Sequence, residues 1–104
     1  MKLLLLGVRP WNDWDKAENK PGKRLGTNYS VLRLKNRGPV IVNVKVPGDA
    51  VITDAAIRES FKSKSVIWAE FEDYEEDMYV RNGVAYHTAT AVSLVLDDDG
   101  LVID

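Results

Sequence analysis

Apolar and polar side chains alternate along much of this chain, and the alternation is clearest between residues 22 and 46. Side chains along a β-strand point alternately to opposite faces, so a period of two predicts the strands Thr27–Lys35 and Val40–Val46. Turn-forming residues, Asn36 to Pro39, separate them. We therefore expect a hairpin with one face in the core and the other in solvent.

The two faces of this hairpin differ in chemistry when residues are sorted by parity. We assign the even positions to the core: Leu32, Leu34, Val40, Val42, Val44 and Val46. We assign the odd positions to solvent: Tyr29, Val31, Arg33, Lys35, Ile41, Asn43 and Lys45. Cations beside an aromatic ring suit single-stranded nucleic acid, which offers phosphates and stackable bases. A solvated face with ordinary lysines explains the same pattern, so both interpretations stay open.

Further strands are predicted on both sides of this hairpin. Leu3–Val8 and Ser65–Phe71 read as the first and fourth strands. The pair Asn82-Gly83, between Met78–Arg81 and Val84–Thr88, predicts a tight hairpin, because a type I′ turn needs positive φ at both central positions.

Thr53–Lys62 is the only helix candidate, since Thr53 can cap it and Ile57 and Phe61 lie four residues apart on one face. The order is three strands, one short helix, and a two-stranded hairpin. We therefore predict a mainly β fold, a five-stranded OB-fold-like Greek-key barrel with the helix between strands 3 and 4. An SH3-like or split barrel is the alternative. The 104 residues fit a single domain, residues 1–104.

Charge is distributed unevenly, although the formal net charge is only −2. Residues 1–64 carry 13 Lys and Arg against 6 Asp and Glu, whereas residues 65–104 carry 1 against 10. Such asymmetry often marks an interaction surface, and local potential steers a ligand more than net charge does.

Several function classes find no support in the composition. The chain has no cysteine and one histidine, which removes disulfides, thiolate metal sites and the usual zinc sites. The sequence contains neither a phosphate-binding glycine loop nor a nucleophile motif, so no motif indicates an enzyme. No segment reaches the roughly 20 apolar residues of a membrane span. We expect a cytoplasmic protein without a catalytic centre, metal, cofactor or membrane partner.

Short motifs in the first hairpin resemble small OB-fold single-stranded DNA-binding proteins of mobile elements. Gly26-Thr27-Asn28-Tyr29-Ser30, followed by VLRL at 31–34 and PVIVNV at 39–44, resembles the filamentous-phage type. The stretches 29–32 and 44–48, with the later Asn82-Gly83, are similar to conjugative-element proteins thought to assist helicase processivity. The resemblance implies DNA binding without sequence preference in replication or transfer of a phage, plasmid or conjugative element, often as a homodimer. It implies DNA contacts by Arg24, Tyr29 and Arg33.

A nucleic-acid site would need cations for phosphates and rings for bases. Residues 11–24 form a polar segment with two tryptophans, which we predict to be a basic and aromatic loop, with a mobile hairpin arm as the alternative. For the tryptophans, capping of the barrel end is the alternative to base stacking. The expected contacts are Trp11, Trp14, Lys23, Arg24, Tyr29, Arg33, Lys35, Arg37 and Lys45. The sequence does not distinguish DNA from RNA.

A protein–protein interaction module with opposite charge patches, without nucleic-acid binding, is the alternative function. The acidic tail 97–104 resembles the tip of bacterial single-stranded DNA-binding proteins, which docks replication or transfer partners; one more edge strand is the other interpretation. If Tyr29, Arg33 and Lys45 are exposed together near a tryptophan, nucleic-acid binding is favoured. If the segment 72–77 covers them, partner binding or autoinhibition is favoured.

Overall fold

The computed structural model describes residues 2–35 and 38–97, which form seven strands and one helix. In chain order these are β1 (Lys2–Asp15), β2 (Lys20–Lys35), β3 (Gly38–Pro47), α1 (Asp54–Lys62), β4 (Trp68–Glu72), β5 (Glu75–Arg81), β6 (Val84–Thr90) and β7 (Ser93–Asp97). The mainly β composition and the helix between β3 and β4 are confirmed. Thr53 caps α1 as predicted, because its side-chain oxygen accepts a hydrogen bond from the Ala56 amide at 3.1 Å.

All seven strands belong to one open sheet in the order β5-β6-β3-β2-β1-β4-β7. Neighbouring strands are antiparallel except for β3 and β6, which are parallel. The prediction of five strands in a closed barrel is therefore wrong. The described part of the chain has seven strands, and β5 and β7 are the edges of the sheet.

A single bent hairpin accounts for the four strands that follow the helix. Trp68 lies opposite Asp97 at its base, and the same register continues to the Asn82-Gly83 tip. The ladder is interrupted at 73–74 on one arm and at 91–92 on the other. Beyond this interruption the distal half pairs with β3, whereas the proximal half pairs with β1. The tip has φ values of 53° and 78°, as the predicted two-residue turn requires.

The core lies on one side of the sheet, which we call the inner face; the opposite side is the outer face. Ile57 of α1 is buried against the inner face, and the Asp54 carboxylate accepts a hydrogen bond from the Val8 amide at 3.1 Å. The buried core residues are Leu3, Leu5, Tyr29, Val31, Val42, Val44, Val46, Ile57, Ile67, Ala69, Phe71, Ala89, Ala91 and Leu94. Within the described residues, no helix is long and apolar enough to cross a bilayer.

The register between β2 and β3 reverses the face that we predicted for β2. Only residues 36 and 37 separate the strands, and Lys35 lies opposite Gly38. An odd position of β2 therefore always pairs with an even position of β3, and paired side chains share a face. The odd positions of β2 lie on the inner face with Val42, while Leu34 is 66 % exposed. The assignment of β3 is correct, and that of β2 is wrong.

The predicted loop 11–24 is instead mostly paired strand. Trp11 lies opposite Gly26 and Asp15 lies opposite Lys20, with register shifts near Asn12. We name the paired segment 11–25 the β1–β2 arm. Its side chains therefore occupy fixed positions relative to the outer face of the sheet.

Gly26 is required where the β1–β2 arm joins the sheet. A Cβ atom at this position would collide with the Val46 carbonyl oxygen and lie 3.0 Å from Trp11 Cε3. We expect Gly26→Ala to lower the free energy of unfolding by about 1–3 kcal/mol, because well-packed sites resist an added carbon. Gly22→Ala is the control, since its Cβ would make an ordinary contact at 3.4 Å from Asp15 Cβ. Equal urea midpoints for the two variants would contradict this packing.

Candidate nucleic-acid interface

Two basic side chains and the asparagine between them occupy one row across three neighbouring strands. Arg9 of β1 lies opposite Asn28 of β2, and Asn28 lies opposite Lys45 of β3. Directly opposite residues share a face of the sheet, so this row lies on the outer face. Trp11, opposite Gly26, lies on the same face two positions along β1. We call Arg9, Trp11, Asn28 and Lys45 the outer-face cluster.

The Lys45 ammonium and the Trp11 ring are already in contact. Lys45 Nζ lies 5.6 Å from the Trp11 ring centroid, which is a cation–π geometry. Gly26 permits this position, because its missing Cβ leaves room for the edge of the ring. Both side chains are half-buried, and Trp11 is not part of the core. The fold therefore brings a cation and an aromatic ring together on the outer face.

Asn28 is the most enclosed member of the cluster. The residue is 6 % exposed, and its Oδ1 atom is buried without a hydrogen-bond partner. Most buried polar atoms in folded proteins have a partner, so an unpaired amide oxygen needs an explanation.

Besides Trp11, the β1–β2 arm carries three of the predicted site residues. Trp14 is 54 % exposed, and Lys23 is exposed without an ion pair among the described side chains. Arg24 donates from Nε to the Gly26 carbonyl at 3.2 Å and from Nη2 to Thr27 Oγ1 at 3.3 Å. These bonds hold the guanidinium at the base of the arm, where it lines a groove of about 290 Å³ with Arg9, Val8, Pro10 and the segment 50–53 that precedes α1.

Tyr29 and Arg33 do not belong to this surface. Tyr29 is 1 % exposed; its hydroxyl accepts a hydrogen bond from the Val51 amide at 3.2 Å, and its ring meets Phe71 edge-on at 6.1 Å. Arg33 is 4 % exposed and forms an ion pair with Glu76 of β5. The prediction that both face solvent is wrong, because the register of β2 with β3 turns them to the inner face.

The Arg33–Glu76 ion pair includes a third group. The Tyr74 hydroxyl donates to Glu76 Oε1 at 2.6 Å. Burial, and then the hydrogen bond to this carboxylate, raise the pKa of the Tyr74 phenol well above its ordinary value. Tyr29 and Arg33 are buried and only Lys45 lies beside a tryptophan, so the condition set for nucleic-acid binding, exposure of all three together, is not met. Glu76 of the acidic segment covers Arg33, as the alternative of partner binding or autoinhibition states.

Other predicted site residues lie outside the described residues. This applies to Arg37, to residues 98–104 of the acidic tail and to the side chain of Lys35. Asp97, the first residue of that tail, is the last residue of β7, and its carboxylate forms an ion pair with Lys2 at 2.7 Å.

Sequence reasoning missed Arg9, Asn28 and a pair of tyrosines. Tyr79 and Tyr86 stack with ring centroids 5.2 Å apart and are 50 % and 42 % exposed. They lie opposite each other on β5 and β6. His87 and Ala89 of β6 lie on the inner face, and side chains of a strand alternate between faces, so Tyr86 lies on the outer face. Counting back from Asn82-Gly83 would have paired these tyrosines, whereas Arg9 and Asn28 become recognisable only from the strand register.

Comparisons of this chain with protein-family models, with curated proteins and with solved structures give no match. A functional assignment therefore rests on the charge, exposure and geometry of the outer face.

Substitution of one buried and one exposed aromatic residue distinguishes core from surface. We expect Tyr29→Ala to lower the free energy of unfolding by about 3–5 kcal/mol, because a fully buried ring is lost. Trp14→Ala should change it by less than about 0.5 kcal/mol, since the ring is more than half exposed. Urea denaturation followed by circular dichroism measures both. Similar unfolding free energies for the two variants would contradict the assignment of faces.

Proposed function

We propose that this protein binds single-stranded nucleic acid through the outer face of β1, β2 and β3, without strict sequence preference. The observation that carries the proposal is the Lys45 ammonium over the Trp11 ring, in the same cluster as Arg9. Single-strand binders combine cations that follow the phosphates with rings on which bases stack. The outer-face cluster supplies a cation and a ring that are already in contact, with Lys45 Nζ 5.6 Å from the Trp11 ring centroid.

The charge distribution suggests a path for the strand. From the outer-face cluster it would continue along the β1–β2 arm, where Lys23 and the exposed Trp14 follow. Arg24 lies at the base of the arm, where it is bonded to the inner-face residue Thr27. On the other side, Glu75 lies opposite Thr90, which in turn lies opposite Lys45, so the acidic β5 borders the same face. Phosphates would be repelled there, and we place the strand away from β5.

The chain order of the strands supports the same face. The bent hairpin of β4 to β7 amounts to two long arms, and with β1, β2 and β3 they make five chain segments. In OB-folds the second and third strands form the ligand face, flanked by the first and fourth interstrand loops. The β1–β2 arm and the Asn82-Gly83 tip stand at those places in the chain order. We propose an open variant of that fold, acting on mobile-element DNA in replication or transfer, with RNA as the alternative ligand.

Fluorescence titration with oligothymidylate at several salt concentrations tests the proposal. With about four phosphate contacts at roughly −0.7 each, log K should fall against log salt with a slope of about −3. Those contacts would come from Arg9, Lys23, Arg24 and Lys45. Lys45→Ala should reduce the slope by about 0.7, and Trp11→Ala should weaken binding by about 1–3 kcal/mol.

Lys62→Ala is the matched control, because Lys62 is exposed on α1 and away from the outer face. It should leave both affinity and slope almost unchanged. Absent binding at low salt, or equal losses in Lys45→Ala and Lys62→Ala, would overturn the proposed interface.

A protein-interaction module is the second candidate function, and one observation favours it. The edge strand β5 exposes Met78, Tyr79 and Val80 at 54 %, 50 % and 64 %. Unpaired edges with apolar side chains can pair with another strand, including β5 of a second copy in the expected homodimer. Light scattering that shows a stable dimer, combined with no oligonucleotide binding, would favour this function.

A further inference from the structure

Asn28 presents an amide oxygen that the folded chain leaves unused. Its Oδ1 atom is buried without a hydrogen-bond partner, although the residue belongs to the outer-face cluster. Another asparagine on this face behaves differently, because Asn43 Oδ1 accepts a hydrogen bond from Ser30 Oγ at 3.1 Å. A buried acceptor without a donor costs free energy in the unbound protein, and a ligand that supplies an N–H group would recover it.

The neighbours of Asn28 indicate what kind of ligand this would be. Arg9 and Lys45 flank it on the adjacent strands, and the Trp11 ring is in contact with Lys45. A phosphate would be attracted to the cations and repelled by the amide oxygen, so the phosphate does not fit Oδ1 itself. A nucleobase fits, because it has an aromatic face for the ring and N–H groups on its edge.

We propose that Asn28 is a base-reading residue: a nucleobase stacked on Trp11 donates a hydrogen bond from a ring or exocyclic N–H to Asn28 Oδ1. This inference rests on the proposed function and adds a base-edge contact to it. Lys45 occupies the ring in the free protein. When a strand binds, its ammonium moves to a phosphate and uncovers the ring, and the base displaces the side chains that bury Oδ1 in the free protein.

Oligothymidylate of about 12 nucleotides and the same oligomer built from N3-methylthymidine form the test pair. The two share phosphates and stacking rings, but thymine loses its only N–H donor on methylation. DNA also lacks the 2′-hydroxyl, which removes a competing donor. We expect the wild-type protein to bind the unmethylated oligomer about three- to tenfold more tightly.

Two variants test whether Asn28 causes the preference for the unmethylated oligomer. Asn28→Leu keeps the side-chain size and removes the acceptor, so it should bind both oligomers equally. Its melting temperature should not fall, since no hydrogen bond within the protein is lost. Asn43→Ala is the matched control and should keep the preference, because the Asn43 acceptor is already engaged by Ser30.

The outcomes separate this inference from the function on which it rests. Equal binding of both oligomers by the wild type overturns the role of Asn28 and leaves the interface intact. A preference that persists in Asn28→Leu comes from the bulk of the methyl group and also overturns it. Binding of neither oligomer overturns the proposed function together with the inference.

Discussion

The register between β2 and β3 is the constraint on which the rest of the surface depends. With Lys35 opposite Gly38, odd positions of β2 share a face with even positions of β3. Arg33 is thereby buried, and a buried guanidinium needs a carboxylate, which Glu76 of β5 supplies. The same register puts Asn28 beside Lys45 on the outer face. Core composition, anchoring of the distal hairpin and chemistry of the exposed face thus follow from one register.

The sequence predicts the local elements well, but it predicts poorly the register between strands and the place where the last hairpin bends. Period-two alternation, the Thr53 cap and the Asn82-Gly83 turn are local signals, and each appears as expected. A one-residue difference in register leaves the alternation of each strand unchanged but exchanges its faces, so Tyr29 was assigned to solvent. The bend of the last hairpin lies at 73–74 and 91–92, where neither glycine nor proline marks it. Five strands were therefore predicted where the sheet has seven.

Charge segregation along the chain becomes segregation across the sheet. The edge strand β5 carries three acidic residues in a row, whereas Arg9, Lys23, Arg24 and Lys45 belong to β1, β2 and β3, on which the acidic residues Asp13 and Asp15 also lie. A net charge near zero therefore coexists with a basic surface, since local potential decides where a polyanion binds. Of nine predicted contacts, Trp11 and Lys45 are brought together, and Tyr29 and Arg33 are withdrawn into the core.

The central claim is that the outer face of β1 to β3 contacts the nucleic acid. Two-dimensional ¹H–¹⁵N spectra recorded during titration with oligothymidylate test it directly, because each backbone amide and each tryptophan indole reports separately. We expect the largest shift changes at the Trp11 indole and at the amides of Arg9, Asn28 and Lys45, with α1 unaffected. Changes confined to α1 or β7, or no changes at all, would contradict the account.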